Sequence, residues 1–466
     1  MKLTLRELET CLTGAPETPE GADRPVTAVR TDSRAVGKGE VFVCLSGERF
    51  DGHEFASQAV AQGALAVVAA RPLPEIKVPV IVVRDTVAAL GRLGRFLRDR
   101  ARGRVVAVTG TAGKTTVKEM IARVAGTRLS VAKNFKNFNN QIGLPLSIFA
   151  ASGEEDVWVL EAGISKPHDM AELGFILAPD LAVVQNIGPA HLEGLGSLEG
   201  VARAKASLLK HLKPEGAALV NRDYPLLWKE ALALRPDAVA FSATDDSADH
   251  FCAFLGPEPN AAGRFRLKTP GLDRELVLPF CGAHFAENVA ATAAAAHHLG
   301  LPPEAVVEGL SGFTRPDQRF CCLAGEGWTL VDDTYNANPL SMTRAIETAR
   351  TMAGDRPLLL VLGAMGELGP EAAEAHEELG RFLRGMAPAR VFFQGAFARD
   401  VARGLGSDAA LLTAVDGPDQ MLNAWRQLAL PGGVALVKGS RSARMELHVA
   451  ALARELGCSV PGGKTA

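Results

Sequence analysis

Two stretches of the chain repeat one alternation, a β-branched run followed by a segment of helical period. From residue 105 the runs "VVAVTG", "VWVLEAG" (157–163), "LAVVQNIG" (181–188) and "GAALVN" (216–221) are interleaved with helical segments at 114–125 and 197–212. The pattern returns as "WTLVDD" (328–333), a helix over 339–352, "PLLLVLGAMG" (357–366), a helix over 370–386, "ARVFFQG" (389–395), "GVALVKGS" (433–440) and a last helix to about 457. Parallel strands need a crossover between them, so this alternation predicts mainly parallel sheets covered by helices. Two separate runs imply two doubly wound units, the second of Rossmann type.

Ahead of them, "VFVCL" (41–45), "LAVVAA" (65–70) and "VPVIVV" (78–83) are short strands between Gly- or Pro-rich turns, consistent with a small α/β domain. The basic stretch "RFLRDRARGR" (95–104) looks like a helix end and a connector, and "LSGFTRPDQRF" (310–320) carries a second break. A polar insert at 242–275 predicts an antiparallel excursion, and "ENVAATAAAAHHLG" (287–300) an Ala-rich helix. At 466 residues, three domains fit the usual size of about 150 residues each. The expected fold class is α/β, with an N-terminal domain at 1–102, a central parallel-sheet phosphate-loop domain at 103–314 and a C-terminal Rossmann-like domain at 315–466.

Composition excludes some functions. Hydrophobic residues at 47% and charged residues at 22% suit a globular chain without disordered tracts. A net charge of −3 leaves no basic footprint for nucleic acid. The seven cysteines form no CxxC pair, and Cys321 and Cys322 are adjacent, which suits neither a zinc site nor a disulfide framework. A reducing cytoplasm is the expected compartment. The N-terminus lacks the apolar stretch of a signal peptide, and no run of about eighteen apolar residues predicts a membrane span. The last residues, "VPGGKTA" (460–466), are expected to fray.

The segment "VTGTAGKTTVKEM" (108–120) joins a strand to a helix whose apolar stripe is Val117, Met120, Ile121 and Val124. A Gly-rich turn there aims backbone N–H groups and the positive helix end at an anion. Lys114 can reach outer phosphates and Thr115 can bind Mg²⁺. The loop is shorter than the usual phosphate loop, with Val108 at the position of its first glycine. A tight turn with a surface lysine is the plainer alternative.

Several polar residues stand at expected strand ends: Glu161, His191 just beyond "VVQNIG", Asp332, Asp333 and Lys438. Ligands of open α/β sheets bind beyond the carboxyl ends of strands, so these residues can converge from two facing sheets. Glu161 and His191 beside Thr115 offer donors for Mg²⁺, with Asp332 or Asp333 a nucleotide or metal contact from the other side. Each taken alone could be a cap or a solvated charge. Two Asn-rich stretches, "NFKNFNNQIG" (134–143) and "DDTYNANP" (332–339), hold more amide side chains than turn chemistry requires.

With these motifs in place, the chain resembles the Mur ligases over nearly its whole length. "TDSRAVGKGEVFVCLSGERFDGHEF" (31–55) is similar to the family's UDP-binding domain, "TGTAGKTTVKEM" to its shortened ATP loop and "NIGPAHLEGLGSLEGVARAK" (186–205) to its metal segment. "DDTYNANPLSM" (332–342), "VLGAMGELG" (361–369) and "VKGSRSARME" (437–446) resemble the family branch that adds D-alanyl-D-alanine to UDP-N-acetylmuramoyl-tripeptide. The resemblance implies that Lys114 and the amides of Gly110, Thr111, Ala112, Gly113, Thr115 and Thr116 hold the phosphates of ATP. It puts one Mg²⁺ on Thr115 and Glu161 and a second on His191 with Lys205, the latter carbamylated in most of the family. It assigns Asn288 to adenine, Arg319 to the γ-phosphate and Asp333 to ribose. Ser33, Arg34, Asn139, Asn140, Tyr335, Asn336, Asn338, Lys438 and Arg441 fall in the segments that hold the UDP-sugar, its peptide and the dipeptide. Phe285, Gln318 and His168 depart from the family pattern.

The implied reaction is ATP-driven amide formation in peptidoglycan synthesis, by a monomer acting through an acyl phosphate. Another ligase of the family, a folylpolyglutamate-type ligase, or a non-enzymatic ATP-binding regulator are the alternatives. The segment Tyr335-Asn336-Ala337-Asn338-Pro339 argues against the sister ligases.

Overall fold

The computed structural model describes residues 3–15, 23–47, 50–135 and 137–458. The tail at 460–466 lies outside the described residues, as do Glu48, Arg49 and Lys136 within the motifs quoted above.

The alternation from residue 105 builds a nine-stranded sheet. Val131–Lys133, Val157–Glu161, Arg104–Thr109, Leu181–Val184, Ala217–Asn221 and Val239–Ser242 lie in that order, all parallel. Side chains alternate across a strand, so each strand feeds two cores. Val105, Ala107, Trp158, Leu160, Ala182 and Val184 join one, and Val106, Val108, Val157, Val159, Leu181 and Val183 the other. The second core is closed by Lys114–Ala125 and the Ala-rich His284–His298, whose Val289, Ala290, Ala293 and Ala294 are buried against it. The insert at 242–275 continues this same sheet. His250–Glu258 pairs parallel with Val239–Ser242, then Ala262–Thr269 and Leu272–Leu278 follow antiparallel. Asn260 and Ala261, both at positive φ, close the first hairpin.

Arg104–Thr109 comes first in the chain yet sits inside the sheet, with Val157–Glu161 on one side and Leu181–Val184 on the other. The winding reverses there, which opens a crevice at its carboxyl end.

In the N-terminal part Val29–Arg30, Val41–Val43, Ala66–Ala69 and Val80–Val82 form a parallel sheet in chain order. The helix Thr86–Arg100 starts at Asp85, whose Oδ1 accepts from Val87 N and Ala88 N at 2.8 and 2.9 Å. Its Leu90, Leu93 and Leu97 belong to one core with Val41 and Val43 of the small sheet and Leu144 and Leu173 of the central part. Arg98 is buried and pairs with Asp180 at 3.0 Å. The basic stretch expected to be a helix end and connector is thus packed on both sides.

The last third forms a six-stranded sheet in the order Cys321–Ala324, Trp328–Asp333, Gly433–Lys438, Leu358–Gly363, Arg390–Gln394 and Leu412–Ala414. The first pair is antiparallel and the rest parallel. Leu358, Leu360 and Leu362 enter one core, Leu359 and Val361 the other. The helix Pro339–Ala353 is started by Asn338, whose Oδ1 accepts from Ser341 N at 2.9 Å, with Pro339 in its first turn.

Candidate active site

A cavity of about 410 Å³ lies between the carboxyl ends of the central and C-terminal sheets. Thr111, Ala112, Gly113, Lys114, Thr115 and Thr116 form its floor, Asn139, Asn140, Glu161, His191 and Asn288 further parts of its central-domain wall, and Arg319, Asp333, Tyr335, Asn336, Asn338 and Lys438 the facing wall.

The loop is shaped by two glycines. A Cβ on Gly110 would come 2.9 Å from Gln185 Cβ, and Gly113, at φ +77°, would bring one 2.9 Å from Asn288 Oδ1. Val117 N is the first intrahelical donor, bonding Gly113 O at 2.9 Å, so the N–H groups of Lys114, Thr115 and Thr116 precede it at the helix end that attracts anions. Two further loop amides are taken within the protein: Asn186 Oδ1 accepts from Thr111 N at 3.0 Å and from Ala112 N at 2.9 Å. Those two amides are therefore engaged within the chain, while Lys114, Thr115 and Thr116 at the helix end line the cavity. Lys114 Nζ donates to Gly110 O at 2.9 Å, and burial holds its ammonium below the usual range.

Glu161 is buried and held from three sides. Its backbone N donates to Asn134 Oδ1 at 2.5 Å, Asn139 Nδ2 donates to its Oε1 at 2.7 Å and Thr115 Oγ1 to its Oε2 at 2.9 Å. The amides of the "NFKNFNNQIG" loop thus aim a carboxylate at the helix start. Asn140 turns its side chain to Ile142 N and Gly143 N at 3.3 and 2.8 Å, a local cap. Lys205 is buried behind the loop with Nζ 2.9 Å from Gly110 O. Burial first, then the charge of Lys114, pushes its pKa well down.

The C-terminal domain reaches into this site. Arg319 Nη2 donates to Thr115 Oγ1 at 3.2 Å while its guanidinium stacks 3.8 Å from the Tyr335 ring centre. Arg319 is presented by a strained turn in which Gln318 and Phe320 both have positive φ. Asn338 Nδ2 donates to Thr111 O at 3.4 Å, and His191 Nδ1 lies 2.6 Å from Glu367 Oε2. Asp333 accepts from Phe320 N at 3.1 Å and pairs with Lys438 at 2.6 Å; Lys438 also donates to Asn336 O at 2.9 Å. Asp332 instead binds Thr334 at 2.6 Å, and burial pushes its carboxyl up. His284, lining the same cavity, is pushed down to about 3 by burial and is neutral at physiological pH.

Ser33 and Arg34 stand on the N-terminal domain outside the cavity. Ser33 Oγ donates to Gln58 Oε1 at 2.9 Å and Arg34 pairs with Asp32 at 2.7 Å. Arg441, exposed, lies 3.6 Å from Glu446. Asn186, Glu367 and Arg344 were not singled out in the sequence. Asn186 opens the "NIGPAHL" segment and Glu367 sits in "VLGAMGELG", so both motifs carried a signal, whereas Arg344 on a helix face carried none.

Two doubly wound sheets meeting over a Gly-rich loop and a helix N-terminus, the arrangement that suits a bound phosphate, define the class of nucleotide-using enzymes. Three family descriptions match the chain: the Mur ligase middle domain over residues 108–296, the Mur ligase glutamate ligase domain over 318–441 and the Mur ligase family catalytic domain over 25–98. The chain belongs to the Mur ligase family. Among its relatives, UDP-N-acetylmuramoyl-tripeptide--D-alanyl-D-alanine ligase of Escherichia coli (strain K12) is 37% identical over 97% of this chain and 98% of that one. The protein of the same name from Bacillus subtilis (strain 168) is 33% identical over 96% and 97%. Among solved structures, MurF from Acinetobacter baumannii has a TM-score of 0.89 at 30% identity, covering 97% of this chain and 99% of that chain. The MurF ligase from Thermotoga maritima in complex with ADP has a TM-score of 0.84 at 30% identity, covering 92% and 98%.

Proposed function

We propose that this chain is an ATP-dependent ligase that joins D-alanyl-D-alanine to UDP-N-acetylmuramoyl-tripeptide, yielding the pentapeptide precursor of peptidoglycan, ADP and phosphate. The observation that carries it is the double engagement of Thr115, by Glu161 at 2.9 Å from its own domain and by Arg319 at 3.2 Å from the opposite one. A hydroxyl, a carboxylate and a guanidinium meet where the outer phosphate of a nucleotide on this helix end falls. The relatives that share the name of this reaction match nearly end to end.

The tripeptide carboxylate attacks the γ-phosphorus and ADP leaves, giving an acyl phosphate. The dipeptide amine then attacks the acyl carbon, and the tetrahedral intermediate expels phosphate. Both partners of the first step are anionic, so catalysis is positioning and charge compensation. Lys114 and the helix-end amides hold the phosphates, and Arg319, kept in place by Tyr335, offsets charge on the transferring group. Asn288 and Asp333 hold adenine and ribose. Asn139, Asn140, Tyr335, Asn336, Asn338, Lys438 and Arg441 serve the peptide substrates, and Ser33 and Arg34 the UDP-sugar.

The donors suit Mg²⁺: a hydroxyl and a carboxylate at the helix start, with the rest of the shell left to phosphate oxygens and water. Among the described residues no three His, Cys, Asp or Glu side chains gather into an all-protein metal cage. Thr115 and Glu161 would hold one ion, and His191 with a carbamylated Lys205 a second; bound there, Mg²⁺ supplies the charge neutralisation that a carboxylate nucleophile needs. The buried, neutral-leaning Lys205 amine is the form that reacts with CO₂, and the resulting anion would relieve its repulsion from Lys114. A cytoplasmic monomer divided at 1–102, 103–314 and 315–466 completes the reading. No helix among the described residues is long and apolar enough to cross a membrane.

The test supplies ATP, Mg²⁺ and UDP-muramoyl-tripeptide with D-alanyl-D-alanine or, separately, with the amine substrates of sister ligases on their own acceptors. Phosphate release with a product heavier by the dipeptide is expected. Release only with another acceptor pair, or none with any, overturns the reading.

A further inference from the structure

At the edge of the cavity, which Arg344 helps to line, a buried charge cluster has no part in the chemistry above. Glu287, on His284–His298, keeps only 10% of its side chain exposed. Arg344, from Pro339–Ala353 of the C-terminal domain, pairs with its Oε1 and also donates to the Tyr224 hydroxyl. Tyr224 itself donates to Glu287 Oε1 at 2.9 Å, and Asn186 Nδ2 donates to Oε2 at 3.4 Å. The other end of that carboxamide is the oxygen that accepts the Thr111 and Ala112 amides. Its orientation is doubly determined. Turned over, it would set an NH₂ against two N–H donors and its oxygen against a carboxylate.

We infer that Arg344, Glu287 and Asn186 form a relay through which docking of the C-terminal domain sets the phosphate loop for nucleotide, with Arg344 the positioning residue. A buried carboxylate is stable only with a paired, hydrogen-bonded cation, and this cation arrives from another domain. With Arg344 paired to its Oε1, Glu287 accepts the NH₂ of Asn186 on Oε2, so the carboxamide oxygen faces the loop. Burial pushes the Glu287 carboxyl up and Arg344 is the largest opposing influence. With Arg344 withdrawn, the Asn186 carboxamide loses its anchor and the Ala112 amide its acceptor, while Thr111 N keeps only the backbone oxygen of Asn186 at 3.0 Å.

The relay rests on the proposed function only for what the nucleotide is used for, so its test reads binding. Mg²⁺ and a non-hydrolysable ATP analogue are titrated calorimetrically into the full chain and into Arg344→Ala, Arg344→Lys, Asn186→Ala and the Arg344→Ala/Asn186→Ala double variant. Loss of a charge-assisted hydrogen bond predicts about tenfold weaker binding in Arg344→Ala, partly restored in Arg344→Lys. Asn186→Ala is expected to weaken binding similarly, and the double variant to be no weaker than the weaker single, because both cut one chain of contacts. Unchanged affinity in Arg344→Ala, or two losses that multiply in the double variant, overturns the relay. An inactive ligase assay with this binding pattern intact would count against the proposed function alone.

Discussion

At the scale of the residue, Lys205 is the side chain whose chemistry depends most on its surroundings. In the sequence it is one lysine on a helix, indistinguishable from a solvated one. Folded, it is buried with Nζ against Gly110 O, and burial together with Lys114 favours the neutral amine. Growth or incubation in ¹³C-bicarbonate is predicted to give a carbamate carbon signal that is absent from Lys205→Ala. The same variant is predicted to lose about 100-fold in ligase activity, the upper range for groups that support a metal site. Full activity without the lysine would remove it from the site. Arg319 shows the same dependence on context, since only the strained turn of Gln318 and Phe320 and the Tyr335 ring aim it at Thr115.

At the scale of the element, the antiparallel extension of the central sheet carries its own pH response. His250 is buried where His250–Glu258 meets the end of His284–His298, its ring 5.5 and 5.9 Å from those of His297 and His298. Nδ1 lies 2.6 Å from Thr269 Oγ1. Burial foremost, then His298 and His297, lowers its pKa from 6.5 to about 4. The unfolded chain therefore takes up a proton at a higher pH than the folded one. This contribution to stability is complete above about 6.5 and is lost as the pH falls toward about 4. Urea midpoints measured across that window should decline more steeply for the native chain than for His250→Asn. Parallel declines would mean that His250 is not the titrating group. For the helix Thr86–Arg100 only its end and the connector were read from the sequence; that it packs against both the small N-terminal sheet and the central part, through Leu144 and Leu173, was not.

At the scale of the whole molecule, the C-terminal domain meets the central one through polar contacts that include, beside the Arg344 cluster, Asn338 to Thr111 at 3.4 Å, Arg319 to Thr115 at 3.2 Å and Glu367 to His191 at 2.6 Å. Small polar interfaces between domains permit relative motion. Small-angle scattering is predicted to show a smaller radius of gyration with ATP analogue and UDP-muramoyl-tripeptide than without, and less compaction in Glu367→Ala. An identical radius in all states would show that these contacts hold without ligand.

Much of the fold and part of the site could be read before the structure. The helices expected over 114–125 and 339–352 are Lys114–Ala125 and Pro339–Ala353, because apolar period, caps and a leading proline act within a few residues of chain. Glu161, Asp333 and Lys438 end their strands as expected, since strand ends follow from the same local patterning. The edge strands Val131–Lys133 and Leu412–Ala414 were not read from the sequence, whereas the equally short Val41–Val43 and Val80–Val82 were, because each of those lies in a β-branched run bounded by turn residues. By itself, then, the chain determined which elements form, which faces they bury and which polar groups stand at their carboxyl ends. Only the tertiary structure decided that the insert extends the central sheet, that Asn186 takes two loop amides, and that Glu287 and Arg344 meet across 57 positions from different domains. Periodicity records that a face must be covered; the partner that covers it is set by strand order and domain docking, which no local stretch encodes.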